Sequence, residues 1–259
     1  MAFFKTNDHE RELLEAFFVQ KGLFGEALDR AICSAKEEIA QGKPIAYIIG
    51  EEAFYDLVFK VNEDVLIPRP DTEHLVEKAI GLLPKGGHFA DLGTGSGCIA
   101  VTVLKHRPDV TGVALDLSAK ALAVALFNAK EKGVDGRVTF VEGDMRKEPL
   151  QDALFDLVIS NPPYIPRADI KKYPSLAYEP QSALDGGEDG MDFYTAILKD
   201  YRKNLKKNGG FLFEIGFDQG DAIRDLGKSL GYSCSVYKDY GKNHRVALLF
   251  PLEQNDNRT

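Results

Sequence analysis

The chain has 259 residues, of which 44% are hydrophobic and 28% charged, with a formal net charge of -8. That composition is ordinary for a folded globular protein and excludes disorder as the main state. The acidic balance argues against gripping a nucleic-acid backbone along its length, because such binding needs lysine and arginine to neutralise phosphates.

No window approaches the roughly 18 apolar residues of a membrane helix. Asp8, Glu10 and Glu12 stand where a signal peptide needs basic and apolar regions, so no export signal is read and a cytoplasmic location is expected. Cys33, Cys98 and Cys234 are odd in number and far apart, which fits reduced cysteines filling small core spaces. The five histidines show no paired spacing, and no metal site is expected.

Residues 10–21 and 25–41 carry apolar stripes at helical spacing, through Leu13, Leu14, Phe17 and Phe18, then Leu28, Ala31, Ile32, Ala35 and Ile39. This predicts a small helical domain over 1–42. Partial alternation over 52–61 predicts a β-hairpin, with 43–70 as a linker. Pro70-Asp71-Thr72 then offers a helix start, and the second domain spans 71–259.

From residue 88 strands and helices alternate. Strands are predicted at 88–92, 110–116, 137–144, 155–161 and 210–216. Helices are predicted at 98–106, 119–132, 192–206 and 219–230. The basic run 199–207 is read as the wet face of the helix at 192–206. Two further strands, 234–238 and 245–250, have no helix between them, and residues from 252 onward are read as a frayed tail. The pattern predicts an α/β, doubly wound, mostly parallel sheet with an antiparallel hairpin at its C-terminal end.

Ligands bind such sheets outside the carboxyl ends of the strands. The strand at 88–92 ends Asp91-Leu92-Gly93-Thr94-Gly95-Ser96-Gly97, a loop whose glycines let the backbone turn tightly against a ligand. The next strand ends at Asp116, followed by Leu117; an acid there can accept from ribose hydroxyls or cap the following helix. A nicotinamide cofactor and S-adenosylmethionine both carry that ribose, so Asp116 does not choose between them. The third strand ends at Asp144 and Met145, where a carboxylate can meet an adenine amino group and a thioether can lie on the ring; a turn residue and core filling are the alternatives.

The fourth strand ends Asn161-Pro162-Pro163-Tyr164. An amide or aromatic amine nitrogen is a poor nucleophile because its lone pair is delocalised. The Asn161 side-chain oxygen and the Pro162 backbone oxygen could accept from its N–H groups and draw it toward tetrahedral geometry. The prolines stiffen the loop, and Tyr164 offers a flat face to a planar group.

The series DLGTGSG, Asp116, Asp144 and NPPY resembles class I S-adenosylmethionine-dependent methyltransferases of the amino-methylating branch, with their Rossmann-like fold. Four further stretches resemble the peptide-chain release factor glutamine methyltransferase family. They are GKPIAYIIGEEAFYDLVFKVNEDVLIPRPDTE (42–73), AYEPQSALDGGEDGMDFY (177–194), EIGFDQG (214–220) and KDYGKNHRV (238–246). The likeness runs from about residue 42 to 250, and the helical region over 1–42 is short for the family.

The resemblance implies that Asp91, Gly93, Thr94, Gly95, Ser96, Gly97, Asp116, Leu117, Asp144, Met145 and Asn161 hold S-adenosylmethionine, with S-adenosylhomocysteine as product. Asn161, Pro162, Pro163 and Tyr164 would hold the substrate amide and form the catalytic set. Arg69 and Pro70 would line the mouth, and Glu179 and Pro180 would shape the loop over the substrate. The implied reaction is N5-methylation of the glutamine in the Gly-Gly-Gln motif of peptide chain release factors, by a monomer that touches neither membrane nor nucleic acid. A ribosomal-protein glutamine methyltransferase and, further off, a nucleic-acid amino-methyltransferase are the rival readings.

Overall fold

The computed structural model describes residues 8–252 apart from 148, 149 and 151. The expected tail therefore lies, from 253 on, outside the described residues.

Two helices open the described chain, α1 (Asp8–Gln20) and α2 (Glu26–Ala40). Leu14, Ile32 and Ala35 are buried between them, and Ile45, Ile48 and Ile49 of a short helix α3 (Ile45–Ile49) pack against that cluster. Cys33 is exposed, a correction to the core placement expected for it. It follows Ile32 by one position, and a rotation of about 100° takes it off the buried stripe.

The hairpin follows as β1 (Glu51–Phe54) and β2 (Leu57–Lys60), paired antiparallel with Phe54 opposite Leu57. Phe54 and Phe59 are fully buried in the main core, which ties the hairpin to the larger sheet; burying each ring contributes about 1.5–3 kcal/mol. A tight turn at Pro70–Thr72 leads into α4 (Glu73–Leu82), whose Leu75, Val76 and Ala79 face the same core.

The central sheet is built from β3 (His88–Leu92), β4 (Thr111–Asp116), β5 (Val138–Glu142), β6 (Phe155–Ser160), β7 (Leu205–Glu214), β8 (Tyr232–Lys238) and β9 (His244–Pro251). Their order is β5-β4-β3-β6-β7-β9-β8. The first five strands pair in parallel, and β9 runs antiparallel to both β7 and β8. Crossovers are made by α5 (Cys98–His106), α6 (Ala119–Glu131) and α7 (Asp192–Asp200), while α8 (Gly220–Ser229) precedes β8. The order in which strands are added reverses at β3, with β4 and β5 laid to one side and β6 and β7 to the other. That places the crevice at the carboxyl ends of β3, β4 and β6.

The largest departures from the expected boundaries fall at one junction. The helix predicted over 192–206 stops at Asp200, and β7 begins at Leu205 rather than 210. Tyr201 is fully buried, and the Asn204 amide donates to the Leu150 and Ala153 carbonyls at 2.7 and 2.9 Å. These contacts turn the chain before another helical turn can form. The basic run 199–207 is accordingly not one helix face. It is split between the end of α7, the turn and the start of β7, with Lys206 paired to Asp156 at 2.7 Å.

Candidate active site

The loop after β3 is shaped by its glycines. Gly93, Gly95 and Gly97 have φ of 75°, 56° and 81°, the left-handed region that side chains with a Cβ avoid. Gly93 is also tight: a Cβ there would lie 2.8 Å from Met145 Cε. The loop is held from below. The Thr94 hydroxyl donates to Asp91 at 2.6 Å, and the Ala100 amide to the same oxygen at 3.2 Å. Asp91 is fully buried, and burial pushes its carboxyl up to about 7.

Asp116 is not itself the cap of the following helix; it braces the loop and the residue that is. Its carboxylate accepts from Gly95 N at 2.8 Å, which fixes the glycine loop, and from Ser118 N at 2.9 Å. Ser118 then caps α6 by accepting from Ala121 N at 3.2 Å. Burial raises the Asp116 carboxyl above the usual range, against these backbone donors.

Asp144 accepts from the Arg146 backbone at 2.9 Å and from its guanidinium at 3.1 Å, and the arginine holds its carboxyl below the usual range. Arg146 in turn lies over the Phe193 ring. Met145 is buried.

These strand ends enclose one cavity of about 440 Å³. Gly93, Gly95, Asp116, Leu117, Asp144 and Met145 line it, joined by Asn161, Pro163 and Pro180. The size falls within the range of small-molecule sites. An adenosine and a short charged tail fit such a place: a glycine loop without Cβ atoms on one wall, and on the others the Met145 thioether and several carboxylates, Asp116 and Asp144 among them. Val65, Leu66, Asp185, Asp192 and Phe193 are among the further lining residues and were not singled out from sequence. The last three lie in the quoted stretch 177–194, where only Glu179 and Pro180 drew a role.

Other predicted residues stand behind the cavity rather than on its wall. Asp91, Thr94, Ser96 and Gly97 support the loop. The Asn128 amide donates to the Ser96 carbonyl at 2.8 Å and also bonds both backbone groups of Lys60, tying loop to hairpin. Pro162 is buried. Tyr164 is turned inward: its hydroxyl reaches Glu214 at 3.4 Å, its carbonyl accepts from Gln219 Nε2 at 3.1 Å, and burial raises its pKa. A Cβ on Gly190 (φ 79°) would come within 2.3 Å of the Tyr164 carbonyl, so the returning loop needs glycine to pass there.

Arg69 and Glu179 are paired with each other. The Arg69 guanidinium binds the Glu179 carboxylate, whose second oxygen accepts from Ile67 N at 3.1 Å. The pair straps the linker to the loop after β6 across 110 residues of sequence. Pro70 faces a separate cleft shared with Tyr55, His74 and Tyr240.

The family model for the methyltransferase small domain matches residues 72–175. A release factor glutamine methyltransferase from Nitratidesulfovibrio vulgaris is 46% identical over 193 residues, which are 72% of this chain and 64% of that protein. Another, from Neisseria gonorrhoeae, is 41% identical over 233 residues, covering 86% of this chain and 84% of its own.

The chain belongs to the release factor glutamine methyltransferase family.

Members of this family are S-adenosylmethionine-dependent methyltransferases, and so is this chain. The fold agrees: a solved methyltransferase from Pyrococcus furiosus superposes with a TM-score of 0.58 at 20% identity, covering 84% of this chain and 97% of the other. Among the described residues no helix is long and apolar enough to cross a membrane.

Proposed function

We propose that this protein methylates the N5 amide nitrogen of the glutamine in the Gly-Gly-Gln motif of peptide chain release factors. The observation that carries the reading is the shared cavity: Asn161 and Pro163 open onto the same space as the glycine loop and Asp116. A nitrogen held at the strand end of β6 would face a donor group lying over β3 and β4.

S-adenosylmethionine supplies an electrophilic methyl group on its sulfonium sulfur when bound. Gly93, Gly95 and Asp116 would hold its amino-acid and ribose parts, and Asp144 with Met145 its adenine. Asn161 Oδ1 and the Pro162 carbonyl would accept the two N–H groups of the substrate amide. That contact costs the amide its planarity and returns lone-pair density to nitrogen. No general base is required, since methylation makes the remaining proton acidic. The rate would come from alignment and from the two acceptors.

Tyr164 would act by anchoring the tetrapeptide, given its inward turn. Arg69 and Glu179 would shape the substrate loop through their pairing, and Pro180 would border the cavity; Pro70, which faces the separate cleft, has no such place. The helical region 1–42 and the linker 43–70 would help dock the release factor, with 71–259 carrying the chemistry. A monomer acting in the cytoplasm fits this task.

Labelled S-adenosylmethionine offered with release factor, ribosomal protein or DNA tests the reading. Label should enter release factor. Label entering only ribosomal protein, or only DNA adenine, would move the assignment to a rival substrate.

A further inference from the structure

The stretch EIGFDQG (214–220) takes no part in the chemistry above. It carries β7 into α8, and its Gln219 is 8% exposed. The side chain of Gln219 reaches back to the chain that follows β6. Its Nε2 donates to the Tyr164 carbonyl at 3.1 Å and to the Gly190 carbonyl at 3.3 Å. Its Oε1 accepts from Gly216 N at 2.9 Å. The Tyr194 hydroxyl, which donates to the Glu214 carbonyl at 2.8 Å, stands 3.4 Å from the same oxygen. Backbone groups decide which end of the amide is which. A peptide N–H only donates and a peptide carbonyl only accepts, so the side chain fits this place in one orientation.

Tyr164 and Gly190 are the two ends of one loop. The chain leaves the strand end of β6 through Tyr164 and comes back past Gly190 into α7. Just inside those ends the loop is closed on itself. Ile165 N donates to the Leu184 carbonyl at 3.1 Å, Gly186 N to the Ile165 carbonyl at 2.9 Å, and Arg167 N to the Gly187 carbonyl at 2.8 Å. Pro180, Asp185 and Gly187 of this loop line the cavity, and so does Pro163, the residue before Tyr164. One amide therefore touches both the end of the Asn161–Tyr164 tetrapeptide and the returning end of the loop beside it. We propose that Gln219 is a positioning residue: it clasps the two ends of loop 165–190 and so holds the tetrapeptide in place for methyl transfer. The proposal rests on the reading of Asn161 and Pro162 as acceptors for a substrate amide.

The test pairs steady-state methyl transfer to release factor with amide hydrogen exchange in variants at Gln219. Gln219→Glu separates the two ends of the side chain: an ionised carboxylate still accepts from Gly216 N but has no hydrogen for Tyr164 or Gly190. It should lower kcat about 10- to 100-fold, the scale of a displaced catalytic group. Cofactor Kd should stay close to that of the unaltered protein, because the glycine loop and Asp116 stand on other strand ends. Exchange should quicken at the Ile165, Arg167 and Gly186 amides and stay unchanged at Ile223, whose N–H bonds the Gln219 carbonyl in the first turn of α8. Gln219→Met has a similar reach and no hydrogen to donate in any protonation state. It should show the same loss of kcat and the same faster exchange at the loop ends, and it serves if the carboxylate packs badly. Undiminished kcat in both variants, or a lower kcat with exchange at Ile165, Arg167 and Gly186 unchanged, would overturn the positioning role while the methyl-transfer assignment stands. Faster exchange confined to Gly216 and Ile223 would overturn it too, by making Gln219 a brace for α8 alone. Failure of the unaltered protein to methylate release factor would overturn that reading and this proposal together.

Discussion

Arg69→Ala should destabilise the protein more than removal of its carboxylate partner does. The Glu179 side chain is 2% exposed and that of Arg69 36% exposed, so the two halves of the pair stand differently toward water. Taking away the arginine strands a buried carboxylate. Stranding a buried charge costs about 3–5 kcal/mol, reduced here because the Ile67 amide still donates to it; about 2–4 kcal/mol is expected. Taking away the acid leaves a guanidinium that can rehydrate and one backbone N–H without its acceptor, at about 1–3 kcal/mol. A neutral acceptor should therefore rescue: Arg69→Ala/Glu179→Gln should be at least ~1 kcal/mol more stable than Arg69→Ala alone. Urea unfolding at constant pH reads these differences, and a loss of this size moves the midpoint by about 1 M. The reasoning fails if Arg69→Ala stays within about 0.5 kcal/mol of the parent, or if the double variant is the less stable one.

Asp116→Ala should weaken S-adenosylmethionine binding by about 1–3 kcal/mol in calorimetry, since it releases Gly95 N and loosens the glycine loop as well as removing a ribose acceptor; unchanged affinity would contradict the assignment. Asn161→Ala should leave cofactor affinity nearly unchanged and slow methyl transfer at least ~100-fold, and a variant at near-parental rate would exclude the acceptor role. Burial holds Asp91 and Glu214 near 7 in the folded protein, above their ordinary values of 3.8 and 4.5. The folded state thus binds these protons more tightly than the unfolded chain. Their contribution to stability is full at low pH and is lost as pH rises from about 4 to about 7. Asp91→Asn should flatten part of that slope in unfolding experiments run across this window, and an unchanged slope would refute the attribution.

What could be read in advance divides along physical lines. The glycine loop was legible because only glycine takes positive φ cheaply at three alternate positions, and Gly93, Gly95 and Gly97 do so. The parallel order was legible because strand–helix alternation leaves few other ways to cover both faces. The stop at Asp200 was not, since a buried Tyr201 and an Asn204 amide bonded to carbonyls 54 and 51 residues away leave no trace in local periodicity. The same holds for Arg69 and Glu179. Each sits in a recognisable motif, but a bond across 110 residues cannot be inferred from either motif alone. Tyr164 shows the limit of reasoning from residue type: its ring suits a planar ligand, yet the hydroxyl finds its partner in the core at Glu214.

The central claim, methyl transfer to one glutamine amide, is tested most directly by mass spectrometry of peptides from release factor incubated with this protein and S-adenosylmethionine. The account predicts a single added methyl, on the side-chain nitrogen of the Gly-Gly-Gln glutamine, absent when Asn161→Ala replaces the parent at matched times. A methyl placed on another residue of the release factor, or the same yield from Asn161→Ala, would contradict it.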